Sequence, residues 1–411
     1  MLVNETFFIN SCDDYELNIK RKSKLEFRIS YDDTKELKAI VFDIGGFGAN
    51  TNLSFLDSAR VALAKKFNIL VVHVFHHCFA IRHNEQDKRY SCTFEMNDEG
   101  LKQLEIALNF FNLKAKDGLS KANAFSISIE LGKLLVQLKK EGKIEDKGAK
   151  NVRKFLAVPP NDEYQNYGVM AALDHINALK FIQNTFKLHH LPTIVGGGSY
   201  GAYIANLMAK FYPLGIQAVV DNSSPVAPVL WYFLGEYMDK FELYYDFDAI
   251  DSFFIINAKS MWSLDENSPY YFKKSNLAIR VLLDKEHLSK QALKNNKTIY
   301  IAYQGIDDKS DANPDKKREF YELLKHFGFD ANLLLFSKKD IDGKFIKNTE
   351  HGLGLSNKLM LKRELPLLLE KLQDYKPSTE DKSISYVCDN ELFSFKDMKT
   401  KLKLEIKKLK T

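Results

Sequence analysis

One serine set among glycines is the most chemically pointed feature of this chain. Residues 194–203 read Ile-Val-Gly-Gly-Gly-Ser-Tyr-Gly-Ala-Tyr and contain Gly197-Gly198-Ser199-Tyr200-Gly201, a G-x-S-x-G pentapeptide. A short apolar run, Leu191 to Val195, precedes it, with Pro192 at a tolerated first position. An amphipathic run follows, with Ile204, Leu207, Met208 and Phe211 at helical spacing and Pro213 closing it. A strand, a sharp turn and a helix with serine at the apex form a nucleophile elbow. Glycines flank the serine because so tight a turn has no room for side chains. The serine backbone is expected to be strained, so that Oγ projects into a site. A glycine turn of this kind can also cradle a phosphate. The chain has neither G-x-x-x-x-G-K-[ST] nor G-x-G-x-x-G with an acidic residue about 20 positions on, which argues against that use.

A serine hydroxyl is a weak nucleophile at neutral pH and needs a base within hydrogen-bond reach. On such an elbow the partners follow in the order Ser, Asp or Glu, His. His351, in Thr349-Glu350-His351-Gly352-Leu353-Gly354, stands after the last predicted core strand and before the long helix that follows it. Downstream of the serine only His287 and His326 compete, and His326 falls late in a helix, where it suits a C-terminal cation. For the acid, Asp308 in Gln304-Gly305-Ile306-Asp307-Asp308 is the first choice. Asp307 and Asp221 stay open as alternatives, with Glu350 a remote one. A tetrahedral intermediate needs two preorganised donors. The Tyr200 N–H is one. The glycine-rich Gly45-Gly46-Phe47-Gly48 supplies the other, with Phe47 first and Gly46 second, and Gly46 is also counted against the substrate.

The flanking elements place these residues on one sheet edge. Residues 15–32 predict a leading antiparallel hairpin. Leu37–Phe42 and Asn68–Phe75 are strand candidates, with a helix over Asn52–Phe67 between them. That order implies a parallel sheet. The expected division is a core over 1–75, a mainly helical insertion over 76–166, core with the elbow over 167–225, a helical cap over 226–295, core over 296–376 and a basic, solvated tail over 377–411. Within 76–166, helices are expected near Gly100–Leu113 and Ser126–Lys140, with Glu141–Lys154 as a charged connector. The aromatics of 226–295, Trp231 and Tyr237 foremost, are expected to line the substrate pocket as a helical wall. The predicted fold class is α/β: an α/β-hydrolase fold with a mostly parallel central sheet flanked by helices and helical insertions forming a cap.

Composition limits the remaining options. The chain has 411 residues, 45% apolar and 27% charged, with a net charge of +5. Charges of both signs are interspersed, so no nucleic-acid footprint is expected. Four cysteines without a C-x-x-C argue against a disulfide framework and for a reducing compartment. The N-terminus lacks secretory character, and no apolar run reaches the 18 or so residues of a membrane span. The expected location is therefore cytoplasmic. His73, His76, His77 and His83 cluster around Cys78 but match no familiar zinc spacing, so packing or lining of the site is expected and no metal. No cofactor is implied.

Four stretches together resemble a family of bacterial α/β-hydrolase-like proteins encoded in campylobacter-type flagellar and surface glycosylation gene clusters. They are Phe42-Asp43-Ile44-Gly45-Gly46-Phe47-Gly48, Gln165 to Ala178, the elbow, and Asp221-Asn222-Ser223-Ser224. The resemblance spans nearly the whole chain. It implies the fold and a link to acylated nonulosonic sugars. The expected function is a serine esterase acting on a small-molecule ester or acylated sugar. The alternatives are an acyltransferase using a sugar hydroxyl, or a catalytically silent protein that binds a glycan or partner.

Overall fold

The structure, a computed structural model, describes residues 1–48, 53–79, 88–113, 118–145, 151–238, 240, 243–309 and 311–410. They divide into two compact units. The first holds Met1–Phe79, Tyr167–Val229 and Phe272–Thr411, and the second holds Ala80–Asn166 and Leu230–Tyr271.

Among the described residues of the first unit, eight strands form one sheet. They are β1 (Leu2–Asn10), β2 (Lys24–Asp32), β3 (Ile40–Ile44), β4 (Leu70–Phe75), β5 (Thr193–Gly198), β6 (Ala218–Asn222), β7 (Ile299–Gly305) and β8 (Asp330–Phe336). Their order is β1-β2-β4-β3-β5-β6-β7-β8. β2 runs antiparallel to β1 and β4, and every later neighbouring pair is parallel. This is the sheet of the α/β-hydrolase fold. β3, β4, β6 and β7 are buried along their whole length. Parallel strands covered on both faces read as unbroken apolar runs, which is why the sequence marks them so clearly.

Among the described residues, helices packed on this sheet include α1 (Leu53–Phe67), α2 (Val169–Phe186), α3 (Tyr200–Phe211), α4 (Pro314–His326) and α5 (Asn357–Lys371). On one face, Leu63 of α1 and Met360, Leu361, Leu365 and Leu368 of α5 pack against Val41, Val71, Ile194, Val220 and Ile301. α3 is buried on all sides, as befits the helix behind an elbow. α4 has a well-formed start: the Asn313 side chain accepts from the Asp315 and Lys316 N–H groups, and Pro314 occupies the first turn.

Three expectations are corrected. The leading hairpin pairs Leu2–Asn10 with Lys24–Asp32, so its first strand lies earlier than residues 15–20. Residues 377–411 are not a solvated tail. Ile384–Cys388, Glu391–Asp397 and Leu402–Lys408 form an antiparallel sheet whose Tyr386, Phe393, Phe395 and Leu402 are wholly buried. Phe395 stacks on Phe211 of α3 at 4.0 Å, and Asn177 of α2 accepts the Leu402 N–H at 2.8 Å.

The third correction concerns the insertions. In the second unit, strands Thr93–Glu95, Asn151–Val158, Ser252–Ala258 and Leu243–Phe247 pair in that order. Helices Asp98–Phe110 and Ala124–Lys140 belong to the same core, through Leu104, Leu108 and Leu131 against Phe155, Phe254 and Ile256. So 76–166 and 226–295 are not two helical blocks. They contribute strands to one α/β unit, and Phe272 onward returns to the first. The end of the supposed connector runs into the strand Asn151–Val158, where exposed Val152 and Lys154 alternate with buried Phe155 and Ala157.

Candidate active site

β5 delivers Ser199 to the sheet edge, and α3 starts at the next residue. Ser199 has φ 54° and ψ −123°, a conformation costly for any residue with a Cβ. Its N–H donates to the Asn222 carbonyl at 2.7 Å, and its own carbonyl accepts from Tyr203 at 3.0 Å. The flanking glycines have a steric reason. A Cβ on Gly201 would sit 2.2 Å from the Ile44 carbonyl oxygen, and one on Gly197 would sit 2.6 Å from the same atom. The elbow thus packs directly on the end of β3.

Ser199, His351 and Asp308 form one hydrogen-bonded chain. His351 Nε2 lies 2.8 Å from Ser199 Oγ, and His351 Nδ1 lies 2.8 Å from Asp308 Oδ2. Nδ1 therefore carries the hydrogen toward the carboxylate, leaving Nε2 to accept from the serine. Asp308 is wholly buried, while the imidazole keeps about a quarter of its surface open. Burial works against the imidazolium, but the hydrogen bond and charge of Asp308 outweigh it, so the His351 pKa is raised above 6.5. Gln304 Nε2 donates to the same Asp308 oxygen at 3.1 Å and to the Ala312 carbonyl at 3.0 Å, fixing the carboxylate on its turn.

The other acids are engaged elsewhere. Asp221 accepts from Lys317 Nζ at 2.7 Å, from Ser224 Oγ at 2.6 Å and from Asn206 Nδ2 at 2.9 Å. Asp307 accepts from Thr349 Oγ1 at 2.6 Å, and Glu350 is exposed. His287 is buried against the Val387 carbonyl, and His326 ends α4.

The loop after β3 lies beside the serine. A Cβ on Gly46 would be 3.6 Å from Ser199 Cβ and 3.2 Å from the Gly198 oxygen. The Phe47 ring meets Tyr200 edge-on at 5.5 Å and Tyr167 at 6.1 Å. Tyr200 is the first residue of α3, and its Oη accepts the Gly168 N–H at 2.9 Å, which anchors the side chain to the start of α2.

His73 is buried within β4, and His76 and His77 are buried just beyond its end. The His76 ring is 5.4 Å from that of His175 and 6.2 Å from Tyr200. Burial holds His73 near pKa 3 and His175 near 4 and drives His76 well below its usual value, so these rings are neutral. Among the described residues, no group of three or more His, Cys, Asp or Glu side chains could hold a metal ion. His83 lies outside the described residues.

Trp231 and Tyr237 do not sit on a continuous helix. Trp231–Leu234 is one helical turn, Gly235–Met238 a 3-10 turn, and Leu243–Phe247 a strand. Lys240 Nζ lies 5.0 Å above the Trp231 ring, and Tyr237 is half exposed. A cavity of about 290 Å³ within the second unit is lined by Gly235, Glu236, Lys240, Lys154, Ile255 and Asn257, among others, and by neither aromatic.

Sequence reasoning missed the residues that hold the loops. Asn222 Nδ2 donates to the Gly352 and Leu355 carbonyls at 3.0 and 3.3 Å. Asn357 Nδ2 donates to Asp43 Oδ1 and the Ile44 carbonyl, both at 2.9 Å. The available signal was the polar run Asp221–Ser224 at a strand end, which also has the look of an ordinary turn.

A family model described as "Protein of unknown function (DUF2920)" matches residues 5–406. The chain belongs to that family. No curated protein matches it in sequence. Solved structures similar to it include an acylaminoacyl peptidase from Pyrococcus horikoshii, at 13% identity over 92% of this chain and 42% of that one, with a TM-score of 0.44. A Pyrococcus furiosus esterase is 12% identical over 91% and 93% of the two chains, with a TM-score of 0.42. Thermogutta terrifontis esterase 2 is 10% identical over 90% and 93%, with a TM-score of 0.41. The chain spans less than half the length of the peptidase. No helix among the described residues is long and apolar enough to cross a membrane.

Proposed function

We propose that this chain is a serine hydrolase that cleaves a carboxylic ester. The observation that carries this is the chain of two 2.8 Å contacts from Ser199 through His351 to Asp308, built on an elbow with a strained serine. Ser199 Oγ attacks the acyl carbon as its proton passes to His351 Nε2. The amides of Tyr200 and Phe47 hold the oxyanion, and Gly46 keeps that approach open. His351 returns the proton to the departing alcohol, leaving an acyl-enzyme. Water, deprotonated by the same imidazole, then releases the acid. Asp308 holds the tautomer and stabilises the transient imidazolium.

The resemblance to glycosylation-cluster proteins makes an acylated sugar the first natural substrate to try. A sugar hydroxyl in place of water turns the second half into acyl transfer.

The test is labelling with a fluorophosphonate probe, together with turnover of short-chain aryl esters, in wild type and Ser199→Ala. Labelling and turnover that vanish in the variant are expected, with its fold retained. A wild type inert to both would leave a binding protein on a hydrolase fold. An active Ser199→Ala would remove this serine from the chemistry.

A further inference from the structure

We propose that Asn222 and Ser223 are positioning residues: they clamp the loop that carries His351 to the backbone that carries Ser199. The inference rests on the hydrolase reading above and extends it to residues outside the triad.

The loop has an unfavourable backbone. Gly352, Leu353 and Gly354 have φ of 75°, 57° and 62°, three left-handed residues in succession, one of them not glycine. Such a loop keeps one shape only where its surroundings over-determine it. Leu353 is wholly buried in the core, which anchors the far side of the loop. The near side is held by the 222–223 dipeptide. Asn222 Nδ2 donates to Gly352 O and Leu355 O, spanning the turn. Ser223 Oγ accepts the Gly352 N–H at 3.1 Å and donates to Asn222 Oδ1 at 3.1 Å. Both polar groups of Gly352, the residue after His351, are thus tied to two adjacent side chains.

The same dipeptide grips the rest of the site through its backbone. The Asn222 carbonyl takes the Ser199 N–H at 2.7 Å, and the Ser223 N–H donates to Tyr303 on β7, the strand that leads to Asp308. Ser223 has φ 57°, so its hydroxyl is directed by a strained backbone. Asn222 is 1% exposed and Ser223 not at all. These two side chains are shielded from bulk water, and losing one of their bonds leaves a buried group unpaired. Serine, histidine loop and acid strand therefore share one junction.

Two variants separate positioning from stability. Ser223→Gly removes the hydroxyl but relieves the left-handed backbone. Its Tm should stay near wild type while kcat for an aryl ester falls roughly tenfold at unchanged KM. Asn222→Leu removes all three side-chain bonds while keeping the branched shape and should cost more in kcat. A second readout does not need turnover: the NMR titration of His351 in ¹⁵N-histidine-labelled protein. Burial lowers the pKa of this ring and Lys317 adds to that, while Asp308 and Asp311 raise it more. A ring released from Asp308 should titrate at lower pH than wild type in both variants. Unchanged kcat and an unchanged His351 titration would overturn the clamp. If wild type turns over no ester, the hydrolase reading fails separately, and the titration still decides whether these side chains hold the ring.

Discussion

Asp221 lies 2.7 Å from the ammonium of Lys317, and neither side chain reaches solvent. The carboxylate at the end of β6 is therefore spoken for, although a triad acid could have stood there. Burial lowers the Lys317 pKa and the charge of Asp221 offsets only part of that, so the ammonium depends on its partner. Asp308→Asn and Asp221→Asn should then fail in different ways. The first should keep its Tm and lose about 10³- to 10⁴-fold in kcat, because the amide favours the wrong imidazole tautomer. The second should lose about 3–5 kcal/mol of stability by stranding a buried charge, with kcat per folded molecule changed only a few-fold. Thermal unfolding beside active-site titration distinguishes them. A crippled but stable Asp221→Asn would move the acid to β6.

The pH dependence of activity should report His351. The base must be neutral to accept the serine proton, so kcat/KM should rise with pH through an apparent pKa above 6.5. For folding the sign is opposite. A pKa raised in the native state stabilises the fold below the unfolded value, and that contribution fades as pH climbs through the native pKa. A pH–rate profile with its acidic limb below 6.5 would contradict the Asp308 contact.

Acid should loosen the protein through different histidines. His73 and His175 are held near pKa 3 and 4 by burial, whereas the unfolded chain protonates them near 6.5. The unfolded state binds more protons between those limits. Their contribution is thus complete above 6.5 and drains away as pH falls toward 4 and then 3, by up to about 1.4 kcal/mol per pH unit for each ring. Urea midpoints at pH 7, 5.5 and 4.5 measure the slope. Replacing His175 by Gln should flatten it, and an unaltered slope would mean that ring is not the one charging.

The C-terminal sheet should be indispensable to the first unit. Phe395 against Phe211 and the Tyr386 Oη bond to the Lys210 carbonyl at 2.6 Å tie it to the elbow helix. Phe395→Ala should cost about 3–5 kcal/mol, and a chain cut after Lys376 should expose the apolar side of α3 and aggregate. A truncated chain with unchanged Tm would restore the solvated-tail expectation.

Legibility followed burial. β3 and β4 are buried on both faces and appear in the sequence as plain apolar runs, so the parallel core could be drawn from them. The Gly-x-Ser-x-Gly spacing and the chain order of Asp308 and His351 were readable because a tight elbow and a sheet edge restrict which residues can meet. Strands with one wet face were not. In Lys401-Leu402-Lys403-Leu404-Glu405-Ile406 the lysines suggest a solvated tail when charges are counted, yet the alternation is that of a half-buried strand. Leu2–Asn10 hides for the same reason, as an edge strand with several exposed positions. Asn222 and Ser223 were opaque because their bonds reach about 130 positions along the chain, and no local pattern encodes a partner at that distance.

The second unit is stitched from two stretches, with Asn151–Val158 paired to Ser252–Ala258. The strand and helix that bear Ser199 are translated between those two. On the ribosome, the earlier strand must therefore wait, one side of it unpaired, while the elbow is synthesised. The two stretches also form a single heritable module: recombination that exchanged one without the other would break the sheet, so the unit can be replaced between relatives only as a matched pair of segments.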